Sequence, residues 1–200
     1  MKPLGFCMVR GSPVLGSQAG RFWRYFVTLY CAGAFGVHAQ NMDVAVSGFS
    51  VAPPMGYVAS GAPSSPSRFV VKLTKPAEPG TRCEASFEAL PGFEHFSQEA
   101  LNRQADNPGW DVFYREGLGD FYTVTNVERF DHAGVSGALV SGTSKPRQAV
   151  RDWIARQPTL IFMLYTPKSL SMVVCVAQEA MFSARRSEFE AVARGLTPPR

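Results

Sequence analysis

Cys83 and Cys175 each stand in a stretch that reads as a core strand, and a bond between them would join segments roughly 90 residues apart. The run Arg82-Cys83-Glu84-Ala85-Ser86-Phe87-Glu88 alternates, placing Cys83, Ala85 and Phe87 on one face and the polar residues on the other. Ser171-Met172-Val173-Val174-Cys175-Val176-Ala177 is apolar throughout, as a buried strand would be. Two inward-facing cysteines on two core strands can meet across a sheet. In the chain-entropy picture such a bridge stabilises the fold by about 4 kcal/mol. Two free buried thiols and a redox-active pair are the alternatives. The redox reading asks for a Cys-x-x-Cys spacing or a low-pKa setting, and neither is visible.

The disulfide expectation depends on compartment, and the first 39 residues bear on that. They carry Lys2, Arg10, Arg21 and Arg24 with no acidic residue, then an apolar run from Tyr25 to Val37, then Val37-His38-Ala39 before Gln40. A positive segment, an apolar segment and small residues at −3 and −1 are the parts of a secretory signal peptide, with cleavage expected between Ala39 and Gln40. A retained N-terminal anchor is the alternative, although the run is short against the roughly 20 apolar residues of a spanning helix. Lipidation at Cys31 is a third, and Tyr30 before it is a poor fit. Met8 is a second candidate start. Export to a periplasmic or extracellular space removes Cys7 and Cys31 with the leader, leaving Cys83 and Cys175 as a pair in an oxidising compartment.

Cleavage also changes the charge. The whole chain has a formal net charge of +4, but residues 40–200 carry sixteen basic and sixteen acidic side chains. A neutral domain without a Lys/Arg block lacks the footprint of a nucleic-acid binder. About 160 residues suit one domain with one core, so residues 40–200 are expected to form a single domain.

Along that domain, Val44–Val51 reads as a first strand stopped by Pro53-Pro54, with Met55–Val58 resuming it, and Gly61–Ser67 as an exposed loop. Phe69–Leu73 and the Cys83 segment are the next strands. Ser97 caps a short helix, Gln98–Gln104, and Asn107-Pro108-Gly109 ends it. Trp110–Arg115, Phe121–Arg129 and Gly134–Gly142 read as strands, with Glu116–Asp120 as a turn, and Ala149–Arg156 as a helical turn or two. Thr159–Tyr165 is the most apolar stretch and a central strand, joined by Pro167-Lys168-Ser169 to the Cys175 strand. A closing helix, Gln178–Gly195, puts Phe182, Phe189, Val192, Ala193 and Leu196 on one face, with a possible restart at the Ser187/Glu190 capping box. The pattern is α+β: a largely antiparallel sheet of about six strands with a long C-terminal helix on one face.

That order resembles the Mog1/PsbP-like α/β/α sandwich group. The features in common are a strand leading to a Pro-x-Gly-aromatic turn, Pro54-Met55-Gly56-Tyr57, and a mid-chain helix. An aromatic-Pro hairpin, Tyr165-Thr166-Pro167, and a terminal helix of the form Phe182…Phe189-Glu190-Ala191-Val192 complete them. The chain also resembles small exported alphaproteobacterial proteins of unknown function with a paired cysteine and a closing Phe-Glu-Ala-x-x-x-Gly segment. The resemblance implies the sandwich fold. Photosystem members of the group bind a metal-dependent assembly through charged surface residues, but no such motif matches here residue by residue, so no activity carries over.

Motifs for chemistry are sparse. His95 and His132 are the two histidines after Gln40, beside Glu94 and Asp131, and neither pair has metal-ligand spacing. Both histidines read as loop or surface residues. There is no Gly-x-Ser-x-Gly elbow, and a triad would need Ser136, His132 and Asp131 crowded together. No phosphate-cradling loop or dinucleotide fingerprint appears, so no catalytic residue, metal or cofactor is expected. Aromatic residues remain: Trp110 and Trp153 with Phe93, Phe96, Phe113, Phe121 and Tyr122. Phe93, Phe96 and Trp110 flank Pro and Gly turns, which makes them candidate contact residues for a protein or apolar ligand. The leading expectation is a non-catalytic exported protein that binds or helps assemble an envelope partner. The alternatives are a module for a small apolar ligand and a hydrolase with a carboxylate site, for which Glu94, Glu99 and Asp111 are the first suspects.

Overall fold

A computed structural model of the chain describes residues 42–44, 48–65, 67–146 and 156–200. The leader with its Ala39/Gln40 junction, the helical turn expected over Ala149–Arg156 as far as residue 155, and Trp153 lie outside the described residues.

Seven antiparallel strands form the main sheet: β3 (Val58–Ser65), β4 (Arg68–Thr74), β5 (Arg82–Ala89), β6 (Tyr122–His132), β7 (Val135–Ser144), β8 (Pro158–Thr166) and β9 (Ser169–Val176). Their order is β3-β4-β5-β9-β8-β7-β6, so β9 returns to pair with β5 and joins two meanders into one sheet. The apolar runs over 159–165 and 171–177 become its central strands, because a strand covered on both faces has no solvated side to make polar. Period two then divides β8: Leu160, Phe162 and Leu164 face one core, and Ile161, Met163 and Tyr165 face the other.

The first core lies under helix α3 (Glu179–Arg194), where Phe189, Val192 and Ala193 are buried and Phe182 packs beside them. A small sheet of β1 (Met42–Val44), β2 (Phe49–Val51) and β10 (Leu196–Thr197) closes the end of α3. Gly195 makes the turn into β10: its carbonyl accepts from Ala52 N at 2.7 Å, and a Cβ there would lie 2.1 Å from the Ala52 carbonyl oxygen. On the opposite face, α1 (Gln98–Gln104) and α2 (Gly109–Gly119) cover β6, β7 and β8. Three layers result, helix–sheet–helices, as the resemblance implied. Ser97 caps α1, its Oγ accepting from Ala100 N at 3.1 Å.

Cys83 and Cys175 are register partners on β5 and β9 and form a disulfide, with Cα atoms 4.1 Å apart and both residues buried in the α3-side core. The expected bridge thus falls in the interior of the sheet.

Several expectations are corrected. Trp110–Arg115 is not a strand but most of α2, and Glu116–Gly119 is its last turn. Trp110, Tyr114 and Leu118 recur at helical spacing, and packing of that stripe against the sheet overrides the strand preference of aromatic residues. Gly61–Ser65 belongs to β3, because an edge strand tolerates the Pro, Gly and Ser that a central strand would reject. Val44–Val51 is not one strand: β1 and β2 pair antiparallel, and Gly48, at φ 72°, leads into β2. Met55 and Gly56 turn instead of resuming that strand, and β3 joins the other sheet. Helix α3 runs unbroken through Ser187 and Glu190. His132 ends β6 rather than lying on a loop, and its Nε2 is 2.7 Å from the Leu196 carbonyl oxygen.

Candidate functional site

Helices α1 and α2 and the turn before them carry a row of aromatic rings. Leu90 to Phe96 is held by successive backbone hydrogen bonds, from Phe93 N to the Leu90 carbonyl and from Phe96 N to the Phe93 carbonyl. Asn107 starts α2, its Oδ1 accepting from Gly109 N at 2.9 Å. These local devices bring Phe93, Phe96 and Trp110, the three residues singled out in the sequence, onto one layer above β8. Phe93 stacks on Tyr165 at 6.1 Å between ring centroids and meets Phe96 at 5.7 Å. Trp110 lies 5.5 Å from Tyr165, 5.1 Å from Tyr114 and 4.8 Å from Phe113, the last edge-on. Tyr165 is the hub. It is buried, whereas Phe96, Val112 and Phe113 are 50%, 53% and 52% exposed.

The cluster therefore has a rooted base and an exposed crest. Offset and edge-on ring pairs fix geometry at little conformational cost, which makes the crest a rigid apolar surface. Burial raises the phenols of Tyr114 and Tyr165, the latter to about 12, so both are uncharged at neutral pH. Beside the crest, a groove of about 210 Å³ runs between the α1–α2 turn and strands β6 and β7. Trp110 and Tyr114 line it, with Asp106, Asp111, Glu128 and Arg129 at its polar edge. Arg129 is shared: its guanidinium bonds Asp106 on the turn, Asp131 at 2.8 Å and Ser136 Oγ at 3.0 Å. Hydrogen bonds from Arg129, and then from Ser136, hold the Asp131 carboxyl below its ordinary range.

Gly137 permits the close packing under this groove. A Cβ there would lie 1.9 Å from the Met163 carbonyl oxygen on the neighbouring strand.

The residues weighed for chemistry are not brought together. Glu94 accepts from Gly92 N, and backbone hydrogen bonds, the largest cause, lower its carboxyl. Glu99 pairs with Arg103 at 2.7 Å, and Asp111 with Arg115 at 2.7 Å, each along its own helix. Asp131 and Ser136 are cross-strand neighbours held by Arg129, while His132 turns to the other face and meets Leu196. Among the described residues, no group of three His, Cys, Asp or Glu side chains is placed to hold a metal ion. Among them also, no helix is long and apolar enough to cross a membrane.

Sequence reasoning missed Tyr165, Tyr114 and Val112. Tyr165 reads as part of an unbroken apolar strand, and that pattern does not say which face it takes. The strand preference of the α2 residues hides the other two. The spacing of Trp110, Phe113, Tyr114 and Leu118 was the signal that could have shown them.

No protein-family model matches the chain, and no curated protein matches it. Among solved structures it is similar to the solution structure of cyanobacterial PsbP (CyanoP) from Synechocystis sp. PCC 6803. That match has 13% identity and a TM-score of 0.51, and it covers 85% of this chain and 98% of that one. At that identity the likeness is one of fold. This chain has the Mog1/PsbP-like α+β fold.

Proposed function

We propose that this chain is an exported, non-catalytic protein that binds or helps assemble an envelope partner, and that its contact surface is the aromatic crest of α1 and α2. The observation that carries the reading is that crest: Phe96 and Phe113, about half exposed, pack on Phe93 and Trp110, which in turn meet the buried Tyr165. Large apolar side chains presented on a preorganised base are the usual anchors of protein contacts. The PsbP-like fold and the Cys83–Cys175 bridge are compatible with a protein made for an oxidising compartment. In this reading the leader is removed between Ala39 and Gln40, and the protein acts in the periplasm or outside the cell. Intact mass of the protein recovered from the envelope tests that part, since a chain beginning at Met1 or Met8 would remove cleavage from it.

The contact surface is tested by cross-linking in envelope fractions with a Phe96→Ala/Phe113→Ala variant. Loss of the cross-linked species with unchanged melting temperature is expected. An undiminished set of partners would move the contact elsewhere.

The groove favours a second reading, a small apolar ligand held against Trp110 and Tyr114. At about 210 Å³ it is smaller than the several hundred Å³ of typical ligand pockets, which ranks that reading second. A thermal shift with an apolar metabolite in the wild type, abolished by Trp110→Ala, would reverse the ranking.

A further inference from the structure

We infer that strand β6 takes an extended segment of a partner protein as an added antiparallel strand, with the segment's apolar side chains on the α2 side of the sheet. The inference concerns the sheet edge rather than the aromatic crest, and stands whether or not the crest is a contact site.

The turn that joins β6 to β7 sets which backbone groups face outward. Ala133 and Gly134, at φ 52° and 72°, form a two-residue turn between the register partners His132 and Val135. A turn of that kind makes the flanking pair exchange both backbone hydrogen bonds. Alternation then points the N–H and C=O of Phe130 and Glu128 at β7, and those of Asp131, Arg129 and Val127 away from the sheet. Side chains fill the two ends of that outward row. Arg194 Nη1 donates to the Asp131 carbonyl oxygen at 3.3 Å. Past the register shift between Val124 and Asn126, Arg115 Nη1 donates to the Val124 carbonyl oxygen at 3.2 Å. Between these ends, no described residue bonds the outward N–H or C=O of Val127 and Arg129.

An open row of backbone donors and acceptors is answered best by another extended backbone. The opposite edge of the sheet is blunted: β3 carries Gly61 and Pro63 and a register shift between Pro63 and Ser65. Strand β6 has neither proline nor glycine. Its charges are answered within the chain, Glu128 by Arg186 and Asp131 by Arg129, so they do not repel an added strand. The side chains beside the window specify what that strand carries. Val127 packs in the α2-side core and, with Arg129, borders the groove that Trp110 and Tyr114 line. A residue placed opposite Val127 shares its face, so an apolar side chain there lies against Val127 and beside the groove.

A second copy of the chain is the poorer occupant. The two-fold register that matches Val127 with Arg129 of the copy sets Glu128 directly against its own counterpart, and like charges directly opposite are unfavourable. Arg186, the cation bound to Glu128, is already shared with Glu190. Registers displaced to either side bring the bonded Asp131 carbonyl or the shift near Thr125 into the pairing.

The test uses the full chain with its disulfide intact and a short fluorescent peptide alternating valine and threonine. With the valines opposite Val127, on the α2 side, their amides are the ones that face β6. Anisotropy titration should show binding, weakened at least about tenfold when the valine amides are N-methylated and little changed when the threonine amides are. Val127→Pro removes an outward N–H and no ladder bond, and should weaken the peptide by a similar factor. Amide exchange in the unaltered chain reads the same contact without a variant. The Val127 and Arg129 amides should exchange fast in the chain alone and slow at least about tenfold under saturating peptide, with Glu128 and Phe130 protected throughout. No binding, equal loss from either methylated peptide, or unchanged exchange at Val127 and Arg129 overturns the inference. A concentration-dependent dimer that Val127→Pro abolishes also overturns it, in favour of a second copy on the edge. Phe96→Ala/Phe113→Ala should leave the peptide's affinity unchanged. Loss of the peptide in that variant, with exchange at β6 unaffected by peptide in the unaltered chain, moves the contact to the crest and leaves only the reading of the crest standing.

Discussion

The two faces of the sheet are built from the same strands and end differently. Under α3 the core is sealed: Phe49, Val51, Phe162, Phe189, Val192 and Leu196 are all buried to within 1% exposure, and the Cys83–Cys175 bridge lies among them. Around that core, Lys75 on the loop after β4 ties to Glu78 and to Glu188 of α3, both at 2.9 Å, and Arg185 bonds the same two carboxylates. Under α1 and α2 the fully buried set is smaller, and much of the remaining apolar surface is only half-covered, including Phe93, Trp110, Leu170 and Met172. On the first face the large side chains of this core are closed over, and Met181 of α3 is the large apolar residue of that helix exposed at 41%. On the second, the outer rings of Phe96 and Phe113 are half exposed. The comparison separates the residues that hold the molecule together from those available to meet something else.

The comparison breaks first at its largest expected effect. Phe162→Ala empties a site packed edge-on against Phe130 at 5.0 Å, and should cost about 3–5 kcal/mol in denaturant unfolding. A cost near that of a surface change would mean that the α3 side is not the stabilising face. Next, replacing Cys83 and Cys175 together by alanine should remove about 2–4 kcal/mol, seen as a lower midpoint that reductant no longer shifts. A reductant effect persisting in that variant would argue against the bridge as its source.

A smaller effect depends on pH. Burial alone would raise the Glu188 carboxyl, but hydrogen bonding from Lys75 outweighs it and holds the group below its ordinary range. A carboxyl depressed in the folded state contributes stability above its unfolded pKa of about 4.3, and loses it as pH falls through the folded value. Glu188→Gln should therefore cost about 1 kcal/mol near neutrality and progressively less in acid, with wild type and variant converging only once pH falls below the depressed folded value. Parallel curves down to acid would show that Glu188 does not anchor α3 through its charge. The smallest effect on stability belongs to the crest: Phe113→Ala, on the outside of α2, should move unfolding by no more than about 0.5 kcal/mol. A loss of several kcal/mol there would make the crest part of the core and remove the distinction.

Much of this division was legible in the residues, and the places where it was not are instructive. Alternation around Cys83 and the unbroken apolar runs over 159–165 and 171–177 marked core strands, because sheet burial is written at period two or as a continuous stretch. The face of α3 was legible in the same way at helical period. Phe93, Phe96 and Trp110 stood out beside their turns, and the fold does place them on one layer. Helix α2 was misread because its aromatic and β-branched residues favour strands, while the choice between the two states was made by packing against β6. The strand in Gly61–Ser65 was hidden for the converse reason: turn-forming residues are accepted at a sheet edge.

By itself the sequence determined the composition of the layers: which segments are apolar enough to be central, which helix closes the chain, and that two cysteines stand on inward faces. Each is a local property of side-chain type and period. Only the tertiary structure decided that β9 returns beside β5, which makes Cys83 and Cys175 register partners, and that Tyr165 faces α2 rather than α3. Strand order and facing depend on pairings between residues far apart in the chain. No local pattern encodes them, because a one-residue change of register turns every side chain of a strand to the other face.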